Sequence, residues 1–208
     1  MIDKILEYAE NHTTSEDEVL RELRRETHLK ELQPQMLSGQ IQGQLLTFFS
    51  QMLQPKAILE IGTFTGYAAI CLAKGLAQNG IMHTIEVNEE KETIIRKYLA
   101  KANLNDSVQL HIGDAAQIIP TLNETFDLVF IDAGKKHNAL YYDMVFDRVR
   151  QGGFVITDNV LWKGKVAEDT NDKRTRLIDE FNKKIQQDER VENLLLPVRD
   201  GLMIVRKK

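Results

Sequence analysis

The sequence predicts an open, mostly parallel α/β sheet with helices on both sides. Three observations predict it. Short apolar runs rich in Ile, Val and Leu alternate with helical patterns from Ala57 onward. Those runs end in glycine, acid or amide residues. Only Pro197 to Gly201 separate the last two runs. So short a connection closes a hairpin and cannot make a parallel crossover. The sheet therefore ends in an antiparallel pair.

The elements read as follows. Ile2, Ile5, Leu6 and Ala9 make one helical face. Ser15, with Glu18 three residues on, matches a capping box, and Val19, Leu20 and Leu23 give the stripe of that second helix. After Pro34 a third pattern runs from Ser38 to Leu53, with Ile41, Leu45, Leu46, Phe49 and Met52 on one side, and Pro55 closes it. Strand-like runs follow at 57–62, 81–87, 108–112, 126–131 and 153–157. Their near-continuous apolar character is that of strands buried on both faces. Helical patterns fill the gaps at 66–78, 89–102, 115–122 and 140–149. A helix at 173–187 precedes the final runs, 191–196 and 202–206. Alternating β and α segments define a parallel sheet covered on both faces.

With 208 residues, the chain fits one domain, 1–208, in which N-terminal helices (1–54) lead into an α/β core (55–208). A net charge of −4 leaves no excess of Lys and Arg to advertise a nucleic-acid or membrane surface. Cys71, the single cysteine, cannot form an internal disulfide and lies on an apolar helix face, so it reads as a core residue in a reducing compartment. No apolar stretch is long enough for a signal peptide or a membrane span. The cytoplasm is the expected location.

Ligands of an open parallel sheet sit outside the carboxyl ends of its strands. Four runs here end in polar residues suited to one pocket. The first ends in Glu60-Ile-Gly62-Thr63-Phe-Thr-Gly66. Its G-x-x-x-G spacing is not the three-glycine pattern of a pyrophosphate site, so the loop reads either as a site for a ligand without a diphosphate or as an ordinary turn. Glu86 ends the second run, where an acid commonly holds ribose hydroxyls; it could equally cap the next helix. Asp114, after Gly113, could accept from an adenine amino group or cap the helix that starts at Ala115.

Asp132, Asp158 and Asn159 form the sharpest set. Two carboxylates and a carboxamide offer only oxygen, which suits Mg²⁺, Mn²⁺ or Ca²⁺ over zinc or copper. They form a set only if their strands are neighbours. Lys135, three residues past Asp132, could take a proton from a substrate hydroxyl if positive neighbours favour its neutral form. Trp162 could wall a flat substrate or brace its loop. His12, His28, His83, His111 and His137 lack metal-type spacing and read as structural.

The run from Glu60 to Tyr67, the Asp132-Ala-Gly134-Lys135 stretch and the Asp158-Asn159-Val-Leu-Trp162 stretch resemble the cation-dependent class I O-methyltransferases. This is the family of caffeoyl-CoA and catechol O-methyltransferases and their bacterial relatives. The resemblance extends from the Met36-Leu-Ser38 stretch to the terminal hairpin. It implies a Rossmann-like, doubly wound, seven-stranded sheet with one antiparallel strand near the C-terminus. It also implies S-adenosylmethionine as cofactor. By motif, Met36, Ser38, Glu60, Gly62, Thr63 and Ala68 would surround the methionine half, Glu86 the ribose, and Asp114 and Ala115 the adenine. Asp132 would serve both cofactor and metal, and Asp158 and Asn159 would complete the ion's ligands. Lys135 matches the family's proposed base. One departure is Gly134, where caffeoyl-CoA-type members carry a second acid. The chain also lacks the long N-terminal extension of the plant type, which argues against coenzyme A esters.

The expected activity is methyl transfer to a hydroxyl beside a second metal-chelating oxygen on a catechol-like small molecule. Asp132 and Lys135 would act in catalysis, Mg²⁺ would be the ion, and no membrane would take part. The resemblance also implies a homodimer. One alternative acceptor is a 5-hydroxyuridine of tRNA, with Arg21, Arg24, Arg25 and Lys30 as a basic strip; a balanced helix surface is the competing reading of those residues. A non-catalytic nucleotide-binding domain is the alternative from another class.

Overall fold

A computed structural model describes residues 2–168 and 172–208; the side chains of Ile2, Asp3 and Lys135 lie outside that description. Three helices come first: α1 (Ile2–Asn11), α2 (Glu18–Lys30) and α3 (Gly39–Leu53). Strands and helices then alternate: β1 (Ala57–Ile61), α4 (Tyr67–Ala73), β2 (Ile81–Glu86), α5 (Glu92–Lys101), β3 (Val108–Ile112), α6 (Ala115–Ile118), β4 (Phe126–Ile131), α7 (Asn138–Phe146) and β5 (Val149–Asp158). The chain closes with α8 (Lys173–Gln186), β6 (Val191–Leu196) and β7 (Leu202–Lys207). Among the described residues, no helix is long and apolar enough to cross a membrane.

The strands form one seven-stranded sheet in the order β3-β2-β1-β4-β5-β7-β6. From β3 to β5 every pairing is parallel. β7 runs antiparallel to both β5 and β6, so it is the one reversed strand. The hairpin read from the 197–201 spacing is therefore the edge of a Rossmann-like sheet. Because β2 and β4 leave β1 in opposite directions, a crevice opens at the carboxyl end of β1.

Both faces of the sheet are covered. On one side Leu59, Ile61, Val129, Ile131 and Val155 pack against Tyr142 and Val145 of α7 and Phe181 and Ile185 of α8. On the other, Ile58, Leu128, Phe130 and Ile156 meet Leu46 of α3, Ile70 and Leu72 of α4, and Tyr98 and Leu99 of α5. Every residue of β1 is buried, which explains its unbroken apolar run apart from Glu60. Cys71 lies in this second layer with its thiol pushed up to about 12 by burial, a core residue as read.

Several boundaries differ from the sequence reading, each for a local reason. Asp17, not Ser15, caps α2, accepting from the Leu20 amide at 2.9 Å; a carboxylate there also meets the positive helix terminus. The helix expected over 66–78 ends at Ala73, because Gly75 turns the chain against α3. The helix expected to reach 149 ends at Phe146, and β5 begins at Val149. A register shift between Phe126 and Leu128, opposite Gly152 with φ +73°, adds the extra length to β5. The apolar face of α1 is exposed at Ile5 and Leu6.

α3 and α4 approach closely, and this approach aligns the N-terminal helices with the crevice. Thr47 donates to the Cys71 carbonyl at 3.2 Å, and Ser50 donates to the Leu72 carbonyl. A Cβ on Gly75 would stand 2.1 Å from the Ser50 carbonyl carbon. Gly75→Ala should therefore cost about 2 kcal/mol or more, as overpacking against backbone does. Chemical denaturation measures it; an unchanged midpoint would show that the α3–α4 contact yields freely.

Candidate functional site

β1 ends at Ile61, and the chain turns at Gly62, whose φ is +98°. A Cβ there would lie 2.1 Å from the Asp132 carbonyl oxygen, so only glycine fits. The Gly62 amide donates to the Ile85 carbonyl at 2.9 Å, and the Asp132 amide donates to the Ile61 carbonyl at 2.9 Å. The ends of β2, β1 and β4 are thus stitched together around one turn. Met36, Leu37, Ser38, Gly62, Thr63, Phe64, Thr65, Tyr67, Ala68 and Asp132 line the cavity above it.

Glu86 is buried at the end of β2. One of its oxygens accepts from the Phe64 amide at 2.7 Å, the other from the Asn88 amide at 2.9 Å. Asn88, not Glu86, caps the helical turn that follows; one Glu86 oxygen braces the approach to it, while the second ties β2 to the glycine loop. Each oxygen of a carboxylate has room for another donor, so a ribose diol can add to these bonds.

Glu60 is fully buried. Thr84 donates to one of its oxygens, and Thr63 stands at hydrogen-bond distance from Thr84. The other oxygen, Oε1, has no hydrogen-bond partner. Burial first, then the nearby Asp132 and Glu86, pushes the Glu60 carboxyl up to about 8 against the pull of Thr84. It therefore keeps its proton near neutrality. A cradle that excludes any side chain and an orphaned buried carboxyl oxygen fit a polar cofactor in this crevice.

β4 and β5 are parallel neighbours, with Ile131 opposite Thr157. Asp132 and Asp158 therefore occupy the next register position on adjacent strands, whose spacing is about 4.8 Å. Asp158 is buried; its Oδ2 accepts from Gln42 Nε2 at 2.7 Å and its Oδ1 from the Asn159 amide at 2.6 Å. Asn159 follows with φ +59°. Gln42 Oε1, fully buried on α3, has no partner. This all-oxygen group matches the donor chemistry of a hard divalent cation. No cluster of three His, Cys, Asp or Glu side chains that could hold a metal occurs among the described residues; the group here has two carboxylates and a carboxamide.

The remaining residues fall as follows. Asp114 caps α6, accepting from the Ala116 amide at 2.9 Å, and Ala115 is buried behind it. Lys135 opens a 3-10 turn, Lys135–His137, just beyond Asp132. Trp162 is half-buried and packs against the α7–α8 layer, bracing its loop. His83 and His111 face each other at 2.9 Å inside the sheet. Arg24 pairs with Glu16 at 2.8 Å and Lys30 with Glu26 at 2.7 Å, so two cations of the expected basic strip are already balanced.

Sequence reasoning missed Gln42, Thr84 and Tyr67. Gln42 stands between Gln40 and Gln44 in α3, so nothing in its local sequence marks it. Thr84 is one polar residue within an apolar strand. Tyr67 lines the cavity while donating to Glu16 at 2.6 Å, a contact between distant segments.

The site's geometry and the comparisons with known proteins agree on the class. The sequence pattern of the O-methyltransferase family matches residues 10–208. A probable caffeoyl-CoA O-methyltransferase 2 of Dictyostelium discoideum is 31% identical over 99% of this chain and 92% of its own. A catechol O-methyltransferase domain-containing protein 1 of Mus musculus is 31% identical over 97% of this chain and 79% of its own. The crystal structure of the O-methyltransferase from Bacillus cereus in complex with SAH superposes with a TM-score of 0.91 at 31% identity, covering 100% of both chains. The fold and the crevice thus define an S-adenosylmethionine-dependent methyltransferase. The chain belongs to the O-methyltransferase family, in the class of the caffeoyl-CoA and catechol enzymes.

The raised Glu60 carboxyl has a consequence for stability. Its ordinary value is 4.5 and its folded value about 8. Between those two values the folded state holds the proton that the unfolded state releases, so stability falls as pH rises. In ligand-free protein, Glu60→Gln should flatten the decline in melting temperature between those pH values. Parallel curves for the two proteins would show that Glu60 ionises freely in the fold.

Proposed function

We propose that the enzyme methylates a hydroxyl oxygen that has a second oxygen beside it, as in a catechol. A divalent cation, Mg²⁺ in the first instance, would be held by Asp132, Asp158 and Asn159. The adjacency of Asp132 and Asp158 on neighbouring strands, next to the Gly62 cradle, carries this reading. When bound, such an ion lowers the pKa of a ligating hydroxyl from the phenolic value near 10.

The chain's own residues would then divide the work. Gly62 and Thr63 admit the methionine half of the cofactor against backbone, and Glu86 holds the ribose hydroxyls. Ala115 and Asp114 border the adenine. Gln42 keeps Asp158 in one orientation, since a carboxylate can only accept and the amide nitrogen must face it. Lys135, on the turn after Asp132, removes or relays the hydroxyl proton. Much of the rate would come from holding the two reactants in line. The two curated relatives carry caffeoyl-CoA and catechol in their names, which supports a small phenolic acceptor.

Turnover of a catechol with labelled methyl donor should stop in excess EDTA and return with Mg²⁺. Undiminished turnover in chelator would remove the ion from the reaction. Asp158→Ala should lower turnover by about 100-fold or more, beyond the loss from removing an outer partner alone. It should keep cofactor affinity, measured by calorimetry. Lys135→Met should lower kcat by about 100-fold, the low end for a lost general base, with little change in cofactor affinity; wild-type kcat in that variant would reassign the base. A parallel screen with tRNA that carries 5-hydroxyuridine distinguishes that acceptor.

A further inference from the structure

Arg199 lies in the turn between β6 and β7, with φ +51°, and belongs to none of the motifs above. It reaches across to the segment before α3. Its Nη1 donates to the Leu37 carbonyl at 2.7 Å and to the Ser38 carbonyl, and its Nη2 donates to the Gln35 carbonyl at 3.3 Å. This cation thus spends its donors on carbonyls near a helix N-terminus, the pole that repels positive charge. Charge-assisted bonds in a rigid fork offset that repulsion.

The tethered segment is anchored in the core by Leu37, but its polar backbone is held mainly by its own turn and by Arg199. A short 3-10 turn, Pro34–Met36, is followed by Leu37 and by Ser38, whose side chain makes no capping bond. Met36 is half exposed. Met36, Leu37 and Ser38 line the same cavity as Gly62 and Ala68. The same turn also braces the other side of the crevice. Asp200 accepts from the Lys163 amide through its side chain, and from the Leu161 amide at 2.8 Å through its carbonyl.

We propose that Arg199 is a positioning residue for the cofactor. It holds the Met36–Ser38 wall at the distance from the glycine loop that the methionine half requires. Without it the wall around half-exposed Met36 would be held less firmly before ligand arrives, and tightening it would be charged against affinity. The inference rests on the reading that the methionine half lies between these two walls.

Calorimetry on the full chain with two probes tests it. One is S-adenosylhomocysteine; the other is 5′-methylthioadenosine, which has the nucleoside but no amino-acid half. Arg199→Ala should weaken S-adenosylhomocysteine by about tenfold while leaving 5′-methylthioadenosine within about twofold. Arg199→Lys should recover part of the loss, since a single ammonium cannot bridge carbonyls in a fixed fork. If the alanine variant does not fold, Arg199→Gln, with one amide donor group, is read by the same criterion. Unchanged S-adenosylhomocysteine affinity, or equal weakening of both probes, would overturn the role. Wild-type protein that binds 5′-methylthioadenosine as tightly as S-adenosylhomocysteine would instead sink the placement of the methionine half, and the inference with it.

Discussion

Everything at the site depends on the contact between Gly62 and the Asp132 carbonyl. A hydrogen in place of Cβ lets the turn after β1 lie directly on the chain leaving β4. That contact sets how far the glycine loop stands from the polar ends of β4 and β5. It also exposes the turn's backbone to a ligand, which is the physical use of a glycine at this position. The amide of the same residue is committed to β2. One residue therefore relates three strand ends, and the functional side chains inherit their geometry from it.

The second constraint is long-range. Gln42 on α3 bonds Asp158, and Arg199 in the last hairpin bonds the residues just before α3. The N-terminal helices are thus more than a cover on the sheet. Their docking through α3 and α4 brings one wall to the cavity and one donor to the acidic strand end. Loss of packing in that layer should be felt as loss of site geometry before it is felt as unfolding, because these links bear on polar atoms at the crevice.

The strands and the terminal hairpin were legible because short, fully buried strands leave an unbroken apolar record, and because five residues cannot form a crossover. The polar strand ends were legible for the same reason: Glu86, Asp132 and Asp158 interrupt apolar runs where the fold places ligands. Their neighbour relation was not, since only β4–β5 pairing makes Asp132 and Asp158 adjacent. Helix ends were missed where tertiary contacts decide them, as at Gly75 and at the bulge beside Gly152. The capping box with Glu18 pointed to Ser15, whereas the backbone path places the cap at Asp17. Gln42 and Arg199 left no local trace, because their partners are distant in the chain.

The charge distribution ties these observations together. Glu60, Glu86, Asp132 and Asp158 gather at the carboxyl edge of the sheet in a chain whose net charge is only −4. In the bare protein the cost is visible at Glu60, where burial and its acidic neighbours hold the proton on. S-adenosylmethionine brings a sulfonium and an ammonium, and the proposed divalent ion would add two more positive charges. A concentration of acid is unfavourable for folding alone and favourable for binding cations. Methyl transfer then converts the sulfonium to a neutral sulfide and removes one of the charges that the acids attract.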